Sequence, residues 1–152
     1  MNVFEEFQRL VAEFEKEDVG YALVGGVALA FYTEPRFTQD IDLLVQMEDF
    51  EKARGILKRE GYFETASPWT FKSVAIELHR FLKGLDLEDQ MIIDILVARD
   101  DQVRRIIRDA VEAESEDGRV MVANKEDLIL LKRMRDSKQD QADIEKLENE
   151  KN

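Results

Sequence analysis

Asp40 and Asp42, two acids one residue apart, carry the clearest chemistry in this sequence. They open the run DIDLLV, whose apolar character reads as a buried strand. Side chains alternate faces along a strand, so both carboxylates project from the same one. Crowded carboxylates are costly unless something positive sits between them. A hard divalent cation with oxygen ligands answers that need. Upstream, Gly25-Gly26 ends the short apolar strand Tyr21 to Val24 and opens a helix. Backbone N–H groups exposed at a helix start favour an anionic phosphate. A third acid, Asp94, interrupts the apolar run MIIDILV. A buried carboxylate needs a partner or a ligand. If its strand lies beside that of Asp40 and Asp42, the three converge in a set suited to one or two Mg²⁺ ions holding a triphosphate.

Each piece also has a purely structural reading. Gly25-Gly26 suits a tight strand-to-helix turn, and Asp40 and Asp42 suit a solvated strand edge, although the apolar IDLLV run opposes that. Asp94 could pair with Arg36 or Lys72. Arg36 suits a phosphate and the carboxylates equally, and Thr38 suits holding the loop better than touching a substrate. Lys125 and Lys132 are seven residues apart and share one helix face, from which they either reach a triphosphate or face solvent. Asp140 and Asp143 read as surface acids. His79, the only histidine, reads as a surface residue on the polar face of a strand. Trp69, after Ser67-Pro68, anchors a loop or stacks on a base.

The elements that must position these residues follow from periodicity and turn residues. An amphipathic helix spans Val3 to Glu17, with Phe7, Leu10, Val11 and Phe14 at helical spacing, and Gly20 closes it. A small-residue helix, Val27 to Tyr32, follows the glycine pair, and Pro35 starts a loop. The strand Asp40 to Gln46 leads into a helix over Met47 to Glu60. Next come a short strand over Tyr62 to Thr65 and an alternating strand over Phe71 to Leu82. A polar loop, Lys83 to Gln90, joins the latter to the strand Met91 to Val97. A helix over Asp100 to Val111, an acidic turn ending in Asp117-Gly118 and a strand over Arg119 to Val122 complete the middle of the chain. Asn124 caps a helix from Lys125 to about Arg135, and a polar helix runs from about Gln139 to Glu148. This order predicts an α/β (α+β) fold with a mixed central sheet flanked by helices. One domain is expected over residues 1–152, with the C-terminal helices in 124–149 packed on or beside it.

Composition narrows the function. The chain has 152 residues, 44% of them hydrophobic and 37% charged, which suits a globular protein able to bury a core. It has no cysteine, so disulfides, thiolate metal sites and a cysteine nucleophile are excluded. The net charge of −12 argues against broad binding of phosphate backbones while leaving a metal-bridged nucleotide possible. The acidic, amphipathic start differs from a signal peptide, and no apolar run approaches the roughly 20 residues of a membrane span. A cytoplasmic location without membrane association is expected.

Together the motifs resemble the polymerase-beta-like nucleotidyltransferases: Val24-Gly25-Gly26, then Asp40-Ile41-Asp42-Leu43, then Ile93-Asp94-Ile95. The fuller run GGVALAFYTEPRFTQDIDL is similar to the minimal branch that includes AbiEii-type toxins and small bacterial nucleotidyltransferases. Arg36, Thr38, Asp40 and Asp42 reproduce that branch's Arg-x-Thr-x-Asp-apolar-Asp pattern, and KEDLILLKRMRDSKQDQADI resembles its C-terminal helices. The resemblance implies that Asp40, Asp42 and Asp94 bind Mg²⁺ and carry catalysis, with Asp94 helping to activate the attacking hydroxyl. It implies that Gly25 and Gly26 contact the triphosphate, with Arg36, Thr38, Lys125 and Lys132 completing the nucleotide-binding set. The implied reaction moves a nucleoside monophosphate from an NTP to a hydroxyl of a protein, an RNA end or a small molecule, with a toxin–antitoxin pair as one setting the branch suggests. The competing expectation is a non-catalytic nucleotide-binding or partner-binding domain of the same fold.

Overall fold

A computed structural model describes residues 3–33, 40–65, 69–70, 76–84, 90–115, 118–135 and 137–149. Six α-helices appear among them: α1 (Val3–Lys16), α2 (Gly25–Leu29), α3 (Phe50–Arg59), α4 (Asp101–Arg108), α5 (Lys125–Arg135) and α6 (Lys138–Asn149). The strands are β1 (Tyr21–Val24), β2 (Asp40–Gln46), β3 (Phe63–Glu64), β4 (Trp69–Thr70), β5 (Ile76–Gly84), β6 (Gln90–Ala98), β7 (Val111–Ser115) and β8 (Gly118–Val122). All join one sheet in the order β3-β5-β6-β2-β1-β8-β7, with β4 also on β5. The sheet is mixed as expected. β2 runs parallel to β6 and β1 parallel to β8, while β1–β2, β5–β6 and β7–β8 are antiparallel.

The central strands β1, β2 and β6 are almost wholly apolar apart from the aspartates, as strands covered on both faces must be. On one face α1 and α3 close the core. Phe14 meets Tyr21 edge-on at 6.1 Å between ring centroids, and Phe50 packs on His79 at 4.3 Å. The opposite face carries Asp40, Asp42 and Asp94 and is flanked by α4 and α5. Arg105 of α4 grips the buried Asp127 of α5 through two hydrogen bonds of 2.8 and 3.1 Å. Asp100 and Asn124 cap α4 and α5 by accepting from Val103 N and Asp127 N, which fixes where each helix begins.

Several boundaries differ from the expectations. The run Glu112 to Ser115 is not a turn: it forms most of β7, paired with β8, and the cross-strand pair Glu112–Arg119 offsets its acidity. The helix before it ends at Arg108 rather than Val111. β5 extends to Gly84, and its expected start, 71–75, lies outside the described residues. Trp69 stands in β4 instead of a loop. The expected helix at Met47 begins as a 3₁₀ turn, Met47–Asp49, before α3. Among the described residues no helix is long and apolar enough to cross a membrane.

Candidate functional site

Register places the three acids. Parallel pairing of β2 with β6 sets Asp42 beside Asp94, while β1 sets Val24 on the other side of Asp42 and β5 sets Arg80 on the other side of Asp94. A single row, Val24–Asp42–Asp94–Arg80, therefore crosses four strands. Asp40, two residues before Asp42, shares its face. One oxygen from each of Asp40, Asp42 and Asp94 lies within 4.8 Å of the others.

Gly25 explains how β1 turns into α2 at this point. Its φ is +73°, a conformation that favours glycine, and a Cβ there would overlap the Asp42 carboxylate. Gly25 lines a cavity of about 110 Å³ with Asp40, Asp42 and Asp94. Leu78, Leu96, Leu128 and Leu131 form its apolar wall, and Arg80, Lys132, Arg135 and Asp140 complete the rim. Gly26 follows inside α2, half-buried.

The electrostatics are strained around Asp42. Burial, then the neighbouring Asp40 and Asp94, push its carboxyl up to about 8, against the pull of Arg135 and Lys132. Its Oδ1 is buried with no hydrogen-bond partner among the described residues. Asp94, 2% exposed, is also raised by burial, although Arg80 holds it from the opposite side. Arg80 Nε donates to Asp94 Oδ1 at 2.8 Å and Nη2 to Oδ2 at 2.9 Å, and Nη2 reaches Asp40 Oδ2 at 3.4 Å. Arg80 is thus a partner of Asp94 that the described residues reveal, while Arg36 and Lys72 lie outside them.

The C-terminal helices deliver two further cations. Lys132, 4% exposed, donates to Asp143 Oδ2 at 3.1 Å, and Gln139 donates to Asp143 Oδ1 at 2.8 Å. Arg135 clasps Asp140 with bonds of 2.8 and 2.6 Å. Ser137 donates through N and Oγ to Asp140 Oδ2, and its Oγ accepts from Asp140 N, closing a reciprocal cap at the start of α6. Burial pushes the Asp140 carboxyl up, but the bonds from Arg135 and Ser137 win and hold it at about 2.

The expectation of surface acids at Asp140 and Asp143 is therefore corrected: both are fully buried. They fall on the same face of α6 as Ile144 and Leu147, which that helix buries, and ion pairs meet the cost of burying them. His79 is also corrected. It is buried, with Nδ1 3.1 Å from Glu64 and Nε2 2.6 Å from Glu77, because α3 covers this face of β5. Lys132 reaches the cavity, whereas Lys125 starts α5 roughly 10 Å away along the helix axis and is not among the lining residues. Arg36 and Thr38 lie outside the described residues. Sequence reasoning missed Arg80 and Arg135. Arg80 shares its strand face with Leu78, two residues before it, but only the register with β6 reveals its partner.

A mixed sheet with acids from two adjacent parallel strands, meeting at a glycine turn, defines the nucleotidyltransferase class. A family model described as "Uncharacterised nucleotidyltransferase" matches residues 1–135, and the chain belongs to that family. Among solved structures, the chain is similar to the lincosamide antibiotic adenylyltransferase LnuA with lincomycin bound, at 18% identity and a TM-score of 0.60, covering 95% of this chain and 96% of that one. It is similar to ANT(2")-Ia in complex with adenylyl-2"-tobramycin, at 14% identity and a TM-score of 0.57, covering 93% and 84%. It is also similar to an antigenic nucleotidyltransferase-like protein from Paracoccidioides brasiliensis, at 13% identity and a TM-score of 0.60, covering 94% and 74%. At such identities these likenesses establish the fold. No curated protein sequence matches the chain.

Proposed function

We propose that this protein is a Mg²⁺-dependent nucleotidyltransferase that moves a nucleoside monophosphate from an NTP to a hydroxyl of a small molecule. The observation that carries this is the convergence of Asp40, Asp42 and Asp94, with a buried Asp42 oxygen that has no partner among the described residues. An all-carboxylate oxygen set fits a hard divalent cation, and a carboxyl held up to about 8 in its absence marks a position that needs positive charge. Asp40, Asp42 and Asp94 would hold one or two Mg²⁺ ions, which when bound supply charge neutralisation and orientation of the triphosphate.

The chain's own residues do the rest. The backbone of Gly25 and Gly26 borders the triphosphate at the strand-to-helix turn, and Lys132 and Arg135 meet its charge from α5. Asp94 accepts the proton of the acceptor hydroxyl. The acceptor oxygen then bonds to the α-phosphorus as the bond to the bridging oxygen of pyrophosphate breaks. Positioning and electrostatics supply most of the rate. The leucine wall excludes water and offers an apolar surface to the base or the acceptor. Arg36 and Thr38 remain assigned to nucleotide binding by the sequence pattern alone.

A small-molecule acceptor is favoured over an RNA end because the net charge of −12 repels a polyanion. The similar folds of LnuA, which binds lincomycin, and of ANT(2")-Ia, which holds an adenylylated tobramycin, support the same choice. A toxin–antitoxin role has no observation in its favour and is not carried forward. A non-catalytic nucleotide-binding domain would have little reason to keep three crowded acids, so it ranks second.

Thermal stability measured with Mg²⁺ and each of ATP, CTP, GTP and UTP tests the binding step. A ligand at 100 times its dissociation constant adds about 2.7 kcal/mol. No shift with any nucleotide would overturn the proposal. Transfer is then followed with labelled triphosphates and a panel of hydroxylated small molecules. Asp42→Asn should abolish transfer while the fold persists, and wild-type turnover by that variant would remove the metal assignment.

A further inference from the structure

Arg80 is neither in the glycine turn nor among the three acids, yet it contacts two of those acids. β5 runs antiparallel to β6 with Arg80 directly opposite Asp94, so their side chains leave the sheet on the same face, close together. The guanidinium engages both oxygens of Asp94, Nε to Oδ1 at 2.8 Å and Nη2 to Oδ2 at 2.9 Å, in the two-pronged geometry that only arginine offers. The same Nη2 lies 3.4 Å from Asp40 Oδ2, linking the acid on β6 to the first acid on β2.

Arg80 restrains Asp94 about its side-chain torsions through both carboxylate oxygens. Asp42 is constrained from behind by Gly25, but Asp94 has its constraint on the strand's other side, where Arg80 stands. A carboxylate oxygen carries two lone-pair directions, so accepting from Arg80 leaves each oxygen able to face the cavity. Hydrogen bonds of this kind orient metal-ligating groups, and removing them typically costs 10–100-fold in metal affinity.

We infer that Arg80 is a positioning residue: its two-pronged grip on Asp94, bridged to Asp40, fixes the third carboxylate in the plane that completes the cation site. This rests on the metal-site reading proposed above. Arg80 transfers no proton and forms no bond to substrate. It acts through Asp94, and it makes the site depend on β5 as well as on the two strands that carry the acids.

The test uses the full chain and Mn²⁺ alone, read by electron paramagnetic resonance, for the wild type, Arg80→Lys and Arg80→Met. Circular dichroism and thermal melting report folding of each. The wild type should bind Mn²⁺, and both variants should bind it at least about tenfold more weakly. Lysine keeps the charge but cannot grip both oxygens, so Arg80→Lys separates geometry from charge and decides the matter if Arg80→Met fails to fold. In transfer assays the variants should lose kcat while KM for the triphosphate changes little. Variants that bind Mn²⁺ as tightly as the wild type, or more tightly, would overturn the role of Arg80 and leave the metal site standing. Absence of Mn²⁺ binding by the wild type would overturn both.

Discussion

Gly25 and Asp42 stand so close that a single methyl group on the glycine would occupy the position of the aspartate carboxylate. The contact arises because β1 pairs antiparallel with β2 and sets Val24 opposite Asp42, so the chain turns into α2 directly over that side chain. The glycine turn and the acid pair, with thirteen residues between Gly26 and Asp40 in sequence, are one structural unit.

Gly25→Ala should therefore act twice. The φ of +73° strains any L-residue, costing about 1–3 kcal/mol. The methyl group also displaces Asp42, so the stabilisation gained from Mg²⁺ should fall with it. Urea unfolding with and without Mg²⁺ measures both, and an alanine variant unchanged in each condition would contradict the contact.

Asp42 predicts a pH dependence with a definite sign. Its carboxyl rises from an ordinary 3.8 to about 8 on folding, through burial first and then Asp40 and Asp94. Between those values the folded state binds more protons than the unfolded one, so this group's contribution to stability falls as pH rises from about 4 to about 8 and levels off above. In chelator, Asp42→Asn should gain stability relative to the wild type across that window. Mg²⁺ should cancel the loss in the wild type only. Denaturation at about pH 5 and about pH 8.5, with and without Mg²⁺, checks the sign. A wild type that becomes steadily more stable relative to Asp42→Asn as pH rises in chelator would contradict it.

The Lys132–Asp143 pair joins α5 to α6 with both side chains buried, at 4% and 0% exposure. Removing one partner strands the other charge, so Lys132→Met should cost about 3–5 kcal/mol. Lys132→Met combined with Asp143→Leu should recover much of that loss, because no charge remains buried. Guanidinium unfolding of the wild type, both single variants and the double variant gives the coupling directly. Additive effects would show that the pair is not coupled.

Much of the site was legible in the sequence because it depends on local rules. Alternation along a strand put Asp40 and Asp42 on one face, and an acid inside MIIDILV had to find a partner. The glycine pair marked the turn between β1 and α2. The strands β1, β2 and β6 and the helices α1 and α5 announced themselves through apolar runs, helical spacing and the cap at Asn124. β7 was misread because its acids resemble turn residues until β8 supplies Arg119, opposite Glu114 and bonded to Glu112. Asp140, Asp143 and His79 were misread as surface groups because burial of a polar side chain depends on how its element docks on the rest of the fold, even where partners such as Arg135 and Ser137 lie close in sequence.

By itself, then, the sequence determined the residue types that could hold a cation and the mixed order of strands and helices, since both follow from side-chain chemistry and short-range periodicity. Only the tertiary structure decided that β2 and β6 are parallel neighbours in the register Asp42–Asp94, that Arg80 completes the row, and that α6 secures Lys132 and Arg135 beside it. Register and helix docking are settled by the packing of the whole core, where a shift of one residue along a strand would turn its acids and Arg80 to the opposite face.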